Sequence, residues 1–341
     1  MQKIFFFLTL VFPLLFFAQN GGQSAFSFVN INYSPRVEAM GGSAIAIFDN
    51  DVSLTQAVPS LLNNEMHNEL CFTYGDYFSD ISLISFSFAR ALKIGVLGVS
   101  LKAISYGDFD RNDEAGYNQG SFTAHDQVFT LGIGRKLHDR FFLGINLNLL
   151  NSIYDSFNSF ALSSNISASY LNLDKRFTST LLFKNLGRQL DSYVDEQEDL
   201  PFEIEIAISK ELDHLPFRYH LTYHHLNTFD INSPYKLTSQ TNLETGELEI
   251  KKESIAKTAL RHLIIGGEFN PFRKSLFIRG GFNFQRRFDL SIINRPAMVG
   301  FSWGMGFRVS KYYFDYSRSA YHLSGVPNNF SIATNLSTFG F

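Results

Sequence analysis

The chain has 341 residues, 37 of them Phe and 15 Tyr, with 24 Gly, a single Cys and a formal net charge of −3. A near-neutral balance gives no electrostatic case for nucleic acid, and one cysteine cannot form an intrachain disulfide. Beyond the N-terminus no apolar run reaches the about 18 residues that mark a transmembrane helix, so any membrane crossing must be made by strands.

The chain opens Met1-Gln2-Lys3, continues with an apolar run from Ile4 to Phe17, and turns polar after Ala18. One positive charge, a short apolar core and a small residue before a polar start describe a secretory signal peptide over residues 1–18. The run is shorter than the roughly 20 residues a spanning helix needs. This reading makes the protein an exported one.

Residues 19–68 are broken by Gly21-Gly22, Pro35, Gly41-Gly42 and Pro59, with short apolar pieces such as Ala44 to Phe48 between the breaks. The stretch 52–62 predicts a short helix interrupted at Pro59, because a proline disfavours helical geometry in its predecessor. In a barrel such an irregular segment would fold inward as a plug.

A strand rhythm begins at Glu69. Phe141, Leu143, Ile145, Leu147 and Leu149 alternate with Gly144, Asn146 and Asn148, and Ile204, Ile206 and Ile208 alternate with polar neighbours. Phe301 to Val309 is the cleanest case: Phe, Trp, Met, Phe and Val at odd positions, with small, polar or charged residues between. Successive strand side chains face opposite ways, so each such strand has one greasy and one wet face. Charges such as Glu203 and Arg279 at strict period two are costly in a dry core and at home in a wet lumen. About fourteen such segments follow, an even number as bacterial barrels require, starting near residues 69, 81, 93, 121, 140, 160, 176, 202, 217, 258, 275, 297, 311 and 329. Parity slips near Ile84 and Gly95 suggest β-bulges or misplaced strand boundaries.

Connections alternate in length. Short ones fall near Ala91, 136–139, 174–175, 213–215, Pro271 and Ser310; long ones at 106–120, 154–159, 187–201, 228–257, 288–296 and 321–328. Outer-membrane barrels sort their connections this way, into short periplasmic turns and longer extracellular loops, whereas a soluble sandwich has no reason to. The expectation is a transmembrane antiparallel β-barrel of about fourteen strands over 69–341, closing on a strand that ends at Phe341.

Catalytic groupings do not assemble. His224-His225, His125-Asp126 and Asp213-His214 are adjacent pairs whose members point to opposite faces on a strand, a poor start for a metal or acid–base site. No HExxH, GxSxG or phosphate-binding glycine loop occurs, and Gly304 and Gly306 lie within a strand. Asp108, Asp110, Asp113 and Glu114 read as a solvated acidic loop, and Cys71 as a half-buried strand residue. No catalytic residue, cofactor or metal is expected, and the protein is not expected to be an enzyme.

The sequence also resembles the PorQ family of the Bacteroidetes type IX secretion system, relatives of PorV in the FadL-like outer-membrane group. The likeness runs in order along the mature chain: Gly21 to Phe28, Ser34-Pro35-Arg36-Val37-Glu38-Ala39-Met40-Gly41-Gly42, Asp51-Val52-Ser53-Leu54, Tyr106-Gly107-Asp108-Phe109, Phe122 to Asp126, Lys184-Asn185-Leu186-Gly187, Leu212 to Arg218, Arg261-His262, Tyr321-His322 and Asn329-Phe330-Ser331. The family usually places Asn before the hatch proline, where this chain has Val58-Pro59. The resemblance implies a FadL-like barrel with an N-terminal hatch in which Arg36, Gly41, Gly42 and Pro59 take part. It also implies an attachment complex that contains a PorZ-like surface protein, a PorU-like sortase and a PorV-like barrel, alongside outer-membrane lipid and lipopolysaccharide. The barrel then anchors the partner and the sortase does the chemistry. Phe109, Tyr117, Tyr235, Tyr321 and His322 on the long loops are candidate docking residues, aromatics being favoured at interface hot spots. The other readings are a transporter of hydrophobic small molecules and an enzyme at the barrel rim.

Overall fold

The computed structural model describes residues 24–194, 196–231, 239–241, 248–250, 253–272, 275–291, 297–322 and 325–340. The expected signal peptide, the docking candidate Tyr235 and the terminal Phe341 lie outside them.

Period-two patterning produces long antiparallel strands: β1 (Glu69–Asp76), β2 (Ser82–Leu92), β3 (Gly95–Asn112), β4 (Asn118–His138), β5 (Phe141–Tyr154), β6 (Phe157–Asn172), β7 (Phe177–Asp191), β8 (Glu203–Glu211) and β9 (Phe217–Tyr223). A small hairpin, β10 (Ser239–Thr241) and β11 (Leu248–Ile250), precedes β12 (Leu263–Phe269), β13 (Leu276–Asn283), β14 (Phe301–Val309), β15 (Tyr312–Ser319) and β16 (Asn328–Asn335). All but β10 and β11 join one closed barrel of fourteen strands, sealed by β1 pairing with β16. Closure leaves no strand edge unpaired around the ring. The fourteen-strand expectation holds.

The outer face is apolar. Phe72, Phe86, Leu101, Leu131, Leu147, Ile206, Ile265, Ile278, Trp303, Met305 and Phe330 all point outward and are exposed, the composition of a lipid-facing wall. No helix among the described residues is long and apolar enough to cross a membrane.

Residues 24–68 occupy the lumen. Helix α1 (Pro35–Ala39) is capped by Ser34, whose hydroxyl accepts from the Val37 N–H, with Pro35 at the first helical position, where a missing N–H costs nothing. It ends at Gly41 and Gly42, with φ of 99° and 94°, and the Gly42 N–H reaches back to the Val37 carbonyl at 3.0 Å. This left-handed exit is one that glycine adopts without strain. Short 3₁₀ turns follow at Val52–Gln56 and Pro59–Leu61, so Pro59 does split the expected helix. Val37, Met40, Ile45, Ile47, Leu54, Val58 and Leu61 form a buried cluster with Leu182 and Ala207 of the wall.

That packing corrects several details read from the sequence. The β2–β3 register runs without a bulge from Ser82↔Ser105 to Leu92↔Gly95. The parity slips near Ile84 and Gly95 arise because Leu83 and Val96 point inward against apolar hatch residues. The wet-face rule fails wherever the plug makes the lumen dry. Cys71 is likewise buried under the hatch rather than half-buried. Residues 154–159 form a tight β5–β6 turn with Asp155 at φ 56°, not a long loop, and 258 opens no strand but lies in helix α2 (Ile255–Arg261). Helix α3 (Phe284–Leu290) follows β13 directly. The chain leaves β16 at Asn335 for a 3₁₀ turn at Leu336–Phe339, which accounts for the lost parity near Thr338.

The wall is uneven. β3 and β4 run 18 and 21 residues, whereas β9 and β12 have 7 each. β2 pairs with β3 only up to Ser105, and β5 with β4 from Ala124, so Asp108↔Thr123 to Asn112↔Asn118 form a two-stranded ribbon rising above the rim. The expected loop 106–120 is mostly this ribbon.

Candidate functional site: the hatch and its locks

The candidate site is the contact between hatch and wall. At its centre is Arg36, 6% exposed. Its guanidinium donates to both oxygens of Glu268 at 3.0 Å, to Asp49 at 2.7 and 3.0 Å, and to Asp51 at 3.2 Å. Strand register builds the other half of the cluster. Glu268 of β12 stands directly opposite Arg218 of β9 and Arg279 of β13, and Arg279 bonds Glu268 at 2.7 Å and also Asp315 of β15. Arg218 closes the ring at 3.0 Å from Asp49. Three guanidiniums and four carboxylates thus form one network across hatch and wall. Burial would lower the Arg36 pKa, but Asp49, Glu268 and Asp51 more than offset this and raise it well above its ordinary value. Burial likewise pushes the Asp49 carboxyl up, while Arg36 and Arg218 outweigh it and hold the group below the usual carboxylate range.

A second lock lies at the other end of α1. Arg286 of α3 pairs with Glu38 at 3.2 Å, the Tyr321 hydroxyl donates to the same carboxylate at 3.2 Å, and the guanidinium sits 4.0 Å from the Tyr321 ring centroid. Polar hooks fix the rest: Ser43 to Glu205 at 2.9 Å, Asn146 to the Thr55 carbonyl at 3.2 Å, and the Ser60 N–H to Ser167 at 2.8 Å.

Strand glycines provide the seats. A Cβ on Gly144 would lie 2.3 Å from the Pro59 carbonyl carbon, one on Gly281 2.2 Å from that of Met40, and one on Gly304 2.7 Å from the Ala39 Cβ. The hatch backbone rests directly on the wall at these points.

The hatch residues expected from the sequence, Arg36, Gly41, Gly42 and Pro59, therefore all lie on this contact. The docking candidates divide. Tyr117 caps the projecting ribbon at 71% exposure, and Phe109 stacks on Phe122 with centroids 5.3 Å apart. Tyr321 is not an exposed loop aromatic: its hydroxyl and ring are taken up by Glu38 and Arg286, so it closes the hatch. His322 is half-buried and forms an isolated bridge with Gly325. Sequence reasoning missed Glu268, Arg218, Asp315, Glu38 and Arg286; for the first three the available signal was a charge on the inward parity of a strand. It also misplaced the His224-His225 pair. β9 ends at Tyr223, and a left-handed φ of 55° at His225 turns both rings toward Glu203.

A cavity of about 40 Å³ between hatch and wall is lined by Lys102, Lys184 and Glu205 among others. A larger one of about 590 Å³ opens at the short-turn end, where six of its twelve lining residues (Arg176, Glu211, Asp213, His214, Arg218 and Glu268) are ionisable.

The chain is thus a closed fourteen-stranded antiparallel β-barrel with an apolar outer wall and an N-terminal segment folded into its lumen. The chain is similar to the CymD monoaromatic hydrocarbon channel, with 11% identity over 91% of this chain and 99% of that one, TM-score 0.51. It is similar to a TodX deltaS2S3 mutant monoaromatic hydrocarbon channel at 10% identity over 89% and 99%, TM-score 0.51. At these identities the likeness shows the fold alone. No family model and no curated protein matches the chain.

Proposed function

We propose that this protein is a non-enzymatic outer-membrane barrel that stays shut and holds a surface partner at its long-loop end. In the type IX setting that the sequence resembles, the partner is a PorZ-like protein, beside a PorU-like sortase and a PorV-like barrel. The observation that carries this reading is the filled lumen. Small-molecule sites usually enclose about 300–1,000 Å³ lined mainly by apolar groups, whereas the cavity beside the hatch measures about 40 Å³ and half of the residues lining the one of about 590 Å³ at the short-turn end are ionisable. The ribbon of β3 and β4, with Tyr117 at its tip and Phe109 on its flank, supports the docking half of the proposal, since it stands clear of the wall and carries exposed aromatic surface.

The second reading is transport of hydrophobic small molecules. It is favoured by the fold, because the two structures reported above are named as monoaromatic hydrocarbon channels. It requires the hatch to leave its seats.

Affinity purification from detergent-solubilised outer membranes separates the two. Near-equal recovery of a large exported surface protein, lost when the ribbon residues 108–122 are replaced by a short turn, supports the anchor. A barrel recovered alone with a bound apolar ligand, or one that passes hydrocarbon into vesicles, overturns it in favour of transport.

A further inference from the structure

The structure assigns a divalent-metal site to Glu203, His224 and His225, at the long-loop end of β8 and β9, and its donor set suits a first-row transition ion such as Zn²⁺. The His225 Nδ1 lies 3.0 Å from Glu203 Oε1, the His224 Nδ1 3.7 Å from the same oxygen, and the two Nδ1 atoms 2.6 Å from each other. Donors that share one zinc at about 2.0–2.1 Å in tetrahedral geometry stand roughly 3.3 Å apart, and the three observed edges bracket that value. Protons alone serve the triangle poorly. A proton between the facing Nδ1 atoms cannot also be given fully to Glu203, whereas one cation at the centre meets all three lone pairs.

The chain departs from ordinary strand geometry to make this triangle. Alternation would send His224 and His225 to opposite faces, and the left-handed backbone at His225 brings both rings to one side. The bearing segments are tied together. The His224 N–H donates to the His262 carbonyl at 2.9 Å, the Leu226 N–H to the Ile204 carbonyl at 2.9 Å, and the Ile204 N–H to Asn227 Oδ1 at 3.1 Å. His262 is not a fourth ligand, because its ring nitrogens face the carbonyls of His224 and Phe229 at 2.7 and 3.0 Å.

Charge is also in place. Lys184 sits 3.8 Å from Glu203 Oε2 and 3.3 Å from Glu205 Oε1. It therefore engages the far oxygen of Glu203 and leaves Oε1 to the metal. Glu203 itself brings to the triangle a negative charge that a bound cation would neutralise. His225, about a third exposed on its side chain, gives the ion a way in and a water a place in the fourth position. Nitrogen–nitrogen–oxygen donors select Zn²⁺, Cu²⁺ or Ni²⁺ over Mg²⁺ or Ca²⁺.

The test uses the untagged full-length barrel in detergent, stripped with a chelator and dialysed against Zn²⁺ or Co²⁺. The expected result is one Zn²⁺ per chain and a Co²⁺ visible spectrum of low-coordinate type. Affinity should fall by more than about tenfold in Glu203→Gln and in His225→Ala, and stay unchanged in His125→Ala. His225 is only partly buried, and heat-modifiable gel mobility checks that its variant is folded, so it decides the matter even if Glu203→Gln misfolds. No stoichiometric Zn²⁺ on the wild type, or Zn²⁺ retained undiminished by His225→Ala, overturns the site.

Discussion

Replacing Arg36 by Met keeps the apolar stem of the side chain and removes its guanidinium. Five hydrogen bonds to Glu268, Asp49 and Asp51 go with it. The three carboxylates do not fare alike. Glu268 keeps Arg279 at 2.7 Å and Arg218 at 3.5 Å, and Asp49 keeps Arg218 at 3.0 Å. Asp51 loses the only cation it pairs with among the described residues. Removing one partner of a buried ion pair costs about 3–5 kcal/mol, and the two remaining arginines put this case at the lower end, about 3 kcal/mol. That corresponds to roughly a hundredfold rise in the population with the hatch undocked.

The barrel ladder does not involve Arg36, so the loss should appear locally. Hydrogen exchange should quicken by about that factor across 34–63, with little change in the strands. Planar-bilayer recordings should show brief openings absent from the wild type. Unchanged exchange in the hatch, or unfolding of hatch and barrel together, would refute the idea that this network is what holds the plug.

Gly144→Val places a side chain into the Pro59 backbone and should displace the 59–62 segment, read as faster exchange there and as protease cleavage of the hatch. Tyr321→Ala should loosen the Glu38–Arg286 lock, while Tyr321→Phe, which keeps the ring under Arg286 but drops the hydrogen bond to the Glu38 carboxylate, should lose about 1.5–3 kcal/mol, measured by the same exchange experiment. Because the folded-state pKa of Asp49 is depressed, its contribution is fully present above the ordinary value of about 3.9 and is lost as pH falls through the lower folded value. Hatch exchange, corrected for intrinsic rates, should therefore stay level from pH 7 to about 5 and rise only in stronger acid; loosening already at pH 6 would contradict this. Met305→Arg, on the outward face in mid-strand, should reduce folding stability in lipid vesicles by about 2–4 kcal/mol.

The barrel was legible because its determinants are local and repeated. Phe301 to Val309 states its two faces without reference to any other strand, and the loop lengths sort themselves along the chain. The locks were not legible, because each joins residues far apart. Arg36 and Glu268 are separated by 232 positions, and nothing near Glu268 distinguishes it from any other lumen-facing acid. Where the sequence rhythm faltered, at Leu83 and Val96, the cause was the plug pressing apolar groups inward. Those faults in the pattern mark the hatch contact as clearly as the motifs do. His224-His225 went astray for a simpler reason: strand geometry was extended two residues past the strand's end.

The chemistry of the locks bears on which of the two functional readings the lumen suits. A plug meant only to fill space could be held by apolar packing, since replacing a buried ion pair with well-packed apolar groups is often neutral or stabilising. Here the apolar clusters are joined by an ionic weld, and displacing it leaves Glu268, Arg279 and Asp315 facing the gap. Such a contact gives way in stages, since Arg218 and Arg279 still hold Asp49 and Glu268 when Arg36 is lost. It also lays a row of charges across the route that an apolar solute would follow through the barrel. A transporter built this way would have to move the whole hatch for each passage and then shield the charges it uncovers. An anchor needs no such motion, and the ionic register keeps the hatch, and the barrel wall it braces, in one conformation beneath the ribbon of β3 and β4.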